Sequence, residues 1–94
     1  MNIRRLVLDV DKAVSRPTII ELAAAIDAVA GVEGVTILVT EIDLETVGMD
    51  ITVEGEHIDY PALVHAIEST GSVVHSIDQL SAGQRVAPAL RRER

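Results

Sequence analysis

Two stretches of this chain carry the same apolar pattern at a fixed offset. Leu22 and Ile26 recur as Leu63 and Ile67, 41 residues on, and Gly31 recurs as Gly71, 40 residues on. In both stretches the apolar residues fall at helical spacing, with an aliphatic run suited to a strand on either side. A chain of 94 residues has room for one hydrophobic core, so the two halves must build a single domain together.

The first half opens with Ile3, Leu6, Val7, Leu8 and Val10, a strand over residues 2–10 that the polar stretch 11–16 and Pro17 bring to an end. Thr18 followed by Glu21 has the spacing of a capping box. Ile19, Leu22, Ala23, Ile26, Val29 and Ala30 then line one helix face up to Gly31, a helix stop. Gly34 introduces a second strand over residues 35–42. A polar turn at 43–46 leads to a third over 48–54, where Met49, Ile51 and Val53 alternate with Asp50, Thr52 and Glu54. The short turn makes these two strands an antiparallel hairpin. Asp59 caps a second helix with the stripe Tyr60, Leu63, Val64 and Ile67, Gly71 stops it, and residues 73–80 form the fourth strand.

The order βαββαβ with right-handed crossovers predicts an α+β, ferredoxin-like sandwich. Its four-stranded sheet has the order 4-1-3-2, with both helices on one face. Residues 1–83 make up the domain and residues 84–94 a basic tail.

Charge removes several function classes. Fifteen acidic against eight basic residues give −7, which disfavours nucleic acid and anionic membranes as partners. Tyr60 is the sole aromatic residue, so base stacking has no platform, and the absence of cysteine excludes disulfides, thiolate zinc sites and a thiol nucleophile. No apolar run approaches the roughly 20 residues of a membrane span and no signal-peptide core is seen, so a cytoplasmic location is expected. Within the net charge lies an asymmetry: residues 1–83 balance at −10 and residues 84–94 at +3, from Arg85, Arg91, Arg92 and Arg94 against Glu93. The tail reads either as a solvated terminus or as a strap lying on an acidic surface.

Strands one and three are neighbours in this order. They are expected to run parallel side by side, which brings Asp9, Asp11, Glu54 and Glu56 to one end of the open sheet face, and Arg5 to the other end beside Asp50 and Asp78. Two carboxylates about 5 Å apart repel by roughly 3 kcal/mol at an effective dielectric of about 20. Such an edge is either a solvated acidic rim or a divalent-cation site. In the second case irregular oxygen ligation favours calcium over magnesium, although no contiguous EF-hand loop is present. His57, His65 and His75 lack metal-ligand spacing, and the parity of His75 with Val73 and Ile77 makes it a hydrogen-bonded, helix-facing histidine. No nucleophile elbow, phosphate loop or dinucleotide fingerprint occurs. An enzyme is not expected.

The second strand, residues 35–40, is free of charge, proline and glycine, and the fold sets it at a sheet edge. Such an edge invites pairing with another chain. Leu38, Ile42, Val7 and Val74 are expected to add apolar surface on the open face.

The strings RRLVLDV, TEIDLET, ITVEG and VVHSIDQLSAG resemble, in order and over roughly residues 2–83, the small and mostly archaeal family known as domain of unknown function 211. The resemblance implies a ferredoxin-like fold, cyclic homo-oligomers and calcium in some members, and brings no catalytic activity. Against that family's pattern the basic tail runs past the usual end, and Asp11 stands where an apolar residue is common. Together these readings predict a non-enzymatic, ring-like homo-oligomeric binding module whose partner is itself. The alternative is a regulatory domain sensing an amino acid, held between subunits by helix N-termini and the loop 31–34.

Overall fold

The computed structural model describes residues 1–88. Its elements are β1 (Ile3–Ala13), α1 (Ile19–Asp27), β2 (Val32–Ile42), β3 (Thr46–Gly55), α2 (Tyr60–Ser69) and β4 (Val73–Ala82). The sheet order is β2-β3-β1-β4, the expected ferredoxin-like arrangement read from the opposite edge. Residues 89–94, with the arginines at 91, 92 and 94, lie outside the described residues.

Local signals place both helices. The Glu21 N–H donates to Thr18 Oγ1 at 3.1 Å, and the Thr18 N–H donates to Glu21 Oε1 at 2.9 Å. That reciprocal pair satisfies two otherwise orphaned donors. The bond from the Thr18 N–H, and after it the one with the Thr18 hydroxyl, holds the Glu21 carboxyl below its ordinary pKa. Asp59 accepts from the Ala62 N–H at 3.1 Å to start α2. Ala28 caps α1, so this helix ends before Val29 and Ala30, although Val29 still packs in the core.

β1 and β3 run longer than their apolar runs. The ladder between them continues through Asp11, Lys12 and Ala13 opposite Gly48, Val47 and Thr46, because the hairpin arms project far enough to keep offering backbone partners. Leu6, Leu8 and Val10 from β1 and Met49, Ile51 and Val53 from β3 lie fully buried against Leu22, Ile26, Leu63 and Ile67. At a typical 1.5–3 kcal/mol for each large apolar side chain buried, this face dominates the stability.

One close crossing fixes how α1 leads into β2. Gly31 has φ +89° and accepts from the Glu56 N–H at 3.0 Å, and a Cβ on Gly55 would collide with the Gly31 carbonyl oxygen. Only glycine fits where these two backbones meet.

Candidate functional site

Every pairing in the sheet is antiparallel, including β1 with β3. The direction follows from the connections. Each helix crossover keeps its flanking strands parallel, and the hairpin reverses β3 against β2, so β3 also opposes β1. This corrects the expected acidic edge: Asp9 faces Asp50 and Asp11 faces Gly48, whereas Glu54 faces Arg5. Asp9 and Glu54 are thus four residues apart along the ladder, about 13 Å. Glu56 lies beyond the end of β3, where Arg4 Nη1 holds its Oε1 at 3.2 Å. The four carboxylates of the expected cation site do not come together within one chain. Among the described residues no group of three or more His, Cys, Asp or Glu is arranged to hold a metal.

The expected cluster of Arg5 with Asp50 and Asp78 is likewise replaced. Arg5 lies between Glu54 on β3 and Ser81 on β4. Asp78 accepts from the Ser76 hydroxyl at 2.7 Å.

The open face reads in rows across the strands. Gly34, Glu54, Arg5 and Ser81 form one row, and Thr36, Thr52, Val7 and Gln79 the next. Leu38, Asp50, Asp9 and Ser76 form the third. The face is therefore more polar than expected. Leu38 is 61% exposed and Val7 half-buried, but Val74 packs against the core. Ile42 pairs with the buried Val47 after the ladder shifts near Thr40, and so leaves the open face.

β4 departs from simple alternation because two extra residues enter its ladder. Opposite consecutive residues of β1, the register passes from Gln79 to Ile77 and from Ser76 to Val74, leaving Asp78 and His75 as the bulged positions. The shift turns His75 away from its expected helix-facing place. Its Nε2 lies 2.9 Å from Asp11 Oδ2, and both side chains are about half exposed. Ile77 and Leu80 stay in register with the buried Leu8 and Leu6, yet are 46% and 50% exposed, because they sit at the outer strand.

Lys12, the one cation that the sequence sets near the expected acidic edge, faces the other way. It continues the inward alternation of Leu6, Leu8 and Val10, is buried, and donates from Nζ to the carbonyls of Ala13 at 3.1 Å and Val14 at 3.3 Å. The alternation itself was the available signal, masked by the usual exposure of lysine. The Lys12 ammonium is thus turned to main-chain oxygens rather than to the carboxylates of the open face.

These features define a ferredoxin-like α+β domain with a polar, carboxylate-bearing sheet face and two edge strands, β2 and β4, that pair on one side only among the described residues. No helix among the described residues is long and apolar enough to cross a membrane. A family model described as DUF211, "Uncharacterized ArCR", matches residues 4–93. An uncharacterized protein of Methanocaldococcus jannaschii, MJ0319, is 38% identical over 90 residues, covering 96% of this chain and 92% of the relative. The chain belongs to the DUF211 family. The match reaches into the basic tail, which overturns the expectation that the tail runs past the family's usual end.

Proposed function

We propose that the chain is a non-enzymatic, cytoplasmic binding module that works as a ring-like homo-oligomer, with strand edges as the contact surfaces. The observation that carries this reading is the state of the two edges. β2 presents the uncharged run 35–40 and β4 presents Val73, Ile77 and Leu80, each about half exposed. An unpaired strand with apolar side chains is a template for another strand. Different surfaces on the two sides make a head-to-tail contact, which closes into a ring when the rotation per copy allows it. A domain of this size also buries a modest share of its own surface and gains by covering more.

Calcium belongs to this reading as a ligand shared between copies. Asp9 and Asp50 offer two carboxylates side by side, fewer oxygens than the six to eight that calcium takes. A second copy supplies the remainder. A thermal shift with millimolar calcium after chelator treatment, lost in Asp50→Asn, is the expected result; no shift removes calcium from the reading.

The assembly is tested with Leu38→Lys and Ile77→Lys, both on exposed side chains. Each is expected to lower the sedimentation coefficient at micromolar concentration while the far-ultraviolet circular dichroism stays that of the parent. Unchanged assembly in both variants would refute edge pairing.

A further inference from the structure

The two ends of the molecule carry complementary patterns. At one end the hairpin between β2 and β3 turns at Asp43, whose N–H donates to the Thr46 carbonyl at 2.9 Å. Leu44 on this turn is 94% exposed and Ile42 74%. Val14, whose N–H donates to the Glu45 carbonyl at 3.2 Å, adds a third, half-exposed apolar side chain. A cavity of about 340 Å³ opens beside the turn, walled in part by Ala13, Glu45, Thr46 and Val73. Residues 41–46 hold Glu41, Asp43 and Glu45 and no cation, a charge of −3. Of the cations nearby, Lys12 is turned to main-chain carbonyls and Arg16 stands beside Glu21.

The tail starts at the other end. The Gly83 N–H donates to the Asn2 carbonyl at 2.8 Å, and Arg4 Nε donates to the Gly83 carbonyl at 2.6 Å, which pins this start beside β1. Residues 86–88 then lie against Arg5, Gln79, Leu80 and Ser81. The tail repeats the pattern of the hairpin turn with the opposite sign. Its apolar stretch 86–90 stands between Arg85 and the pair Arg91 and Arg92, and residues 84–94 balance at +3.

We propose that the tail of one copy docks on the hairpin end of a second copy, with Leu90 in the cavity beside the turn and Arg91 and Arg92 among Glu41, Asp43 and Glu45. An apolar surface ringed by one sign of charge selects an apolar segment flanked by the other sign. Chain length assigns the contact to a second copy. Residues 86–88 lie beside Gln79, which pairs with Val7. Val14 follows Val7 by seven residues, about 23 Å along the strand, whereas Leu90 reaches at most about 7 Å beyond Pro88. Leu90 therefore cannot enter the cavity of its own copy. Turn and tail lie at opposite ends of the strands, so two copies set antiparallel make the contact both ways and close. This contact uses neither the β2 nor the β4 edge ladder and goes beyond edge pairing.

The chain has no cysteine, so single introduced thiols report the contact without background. Full-length Glu45→Cys and Ala89→Cys are mixed at micromolar concentration in a glutathione redox buffer, and the mixed disulfide is read by mass spectrometry. Ala24→Cys, on the exposed side of α1, replaces Glu45→Cys in the control mixture. Docking raises the effective thiol concentration, so the 45–89 disulfide is expected to form at least about tenfold faster than the 24–89 disulfide. Leu44→Ser in the receiving copy, or Arg91→Glu with Arg92→Glu in the donating copy, should bring the rate down to that of the control. Leu44 is exposed and both arginines lie beyond the sheet, and unchanged far-ultraviolet circular dichroism checks that these variants fold. Leu38→Lys and Ile77→Lys should leave the coupling fast, which separates this contact from edge pairing. Equal rates at 45–89 and 24–89 would overturn the proposal, as would a fast rate that ignores both Leu44→Ser and the charge reversal. Coupling lost in the edge variants would also overturn it, because edge pairing would then be what brings the two sites together.

Discussion

Replacing Asp50 by Asn removes one of two like charges set opposite each other in the middle of the sheet. Asp9 and Asp50 are direct ladder partners, which puts their Cβ atoms about 5 Å apart. At that distance an effective dielectric of about 20 gives a repulsion of roughly 3 kcal/mol. Both side chains are only half-buried, so water and salt reduce it toward the roughly 0.5–1 kcal/mol typical of cross-strand pairs. Asp50→Asn should therefore stabilise the fold by about 0.5–1 kcal/mol at low ionic strength with chelator present. Most of that gain should disappear in 1 M salt, where the screening length falls to about 3 Å. Urea unfolding at fixed protein concentration reads it as a midpoint rise of roughly half to one molar. Asp78→Asn is the control: Asp78 accepts the Ser76 hydroxyl at 2.7 Å and faces no carboxylate in the ladder, so its loss should not stabilise. A destabilised Asp50→Asn in chelator, or a gain that ignores salt, would refute the like-charge account. A gain that turns into a loss on adding calcium would instead support a cation shared at Asp9 and Asp50.

Two further outcomes follow from local geometry. Gly55→Ala places a methyl against the Gly31 carbonyl and is expected to cost about 2 kcal/mol or more, read by the same urea titration; a neutral result would mean that the crossing of the two backbones is loose. The Glu21 carboxyl, held below its ordinary pKa by Thr18, contributes stability above its unfolded-state pKa that is lost as pH falls through the lower folded value. In Thr18→Ala the backbone N–H bond to Glu21 remains and only the hydroxyl contribution is lost, so a carboxyl titration by nuclear magnetic resonance should move only part of the way back toward the ordinary value, and a full return would contradict the main-chain bond as the chief cause.

How much of this was legible in the sequence differs from element to element. Helix positions were, because Leu22 and Ile26, Leu63 and Ile67, the Thr18–Glu21 spacing and Asp59 are local signals that agree with the long-range pattern. Strand lengths were not, since Asp11 and Lys12 continue β1 only because the hairpin arms reach far enough to pair with them. The antiparallel run of β1 and β3 was implicit in the connections, and it separates Asp9 and Asp11 from Glu54 and Glu56. Treating adjacent strands as parallel produced an ion site that the register does not build. The bulges of β4 had no visible signal: the string VVHSIDQL fits neither parity throughout, so the outward turn of His75 toward Asp11 needed the ladder itself. Nor does any periodicity show residues 86–88 returning over Arg5, because tail and sheet meet only in three dimensions.

Sedimentation equilibrium of the unmodified chain at micromolar concentration tests the central claim most directly. The edge-pairing account predicts a single species whose mass is an integral multiple, above one, of the 10.1 kDa chain. A clean 10.1 kDa monomer across that concentration range would contradict it.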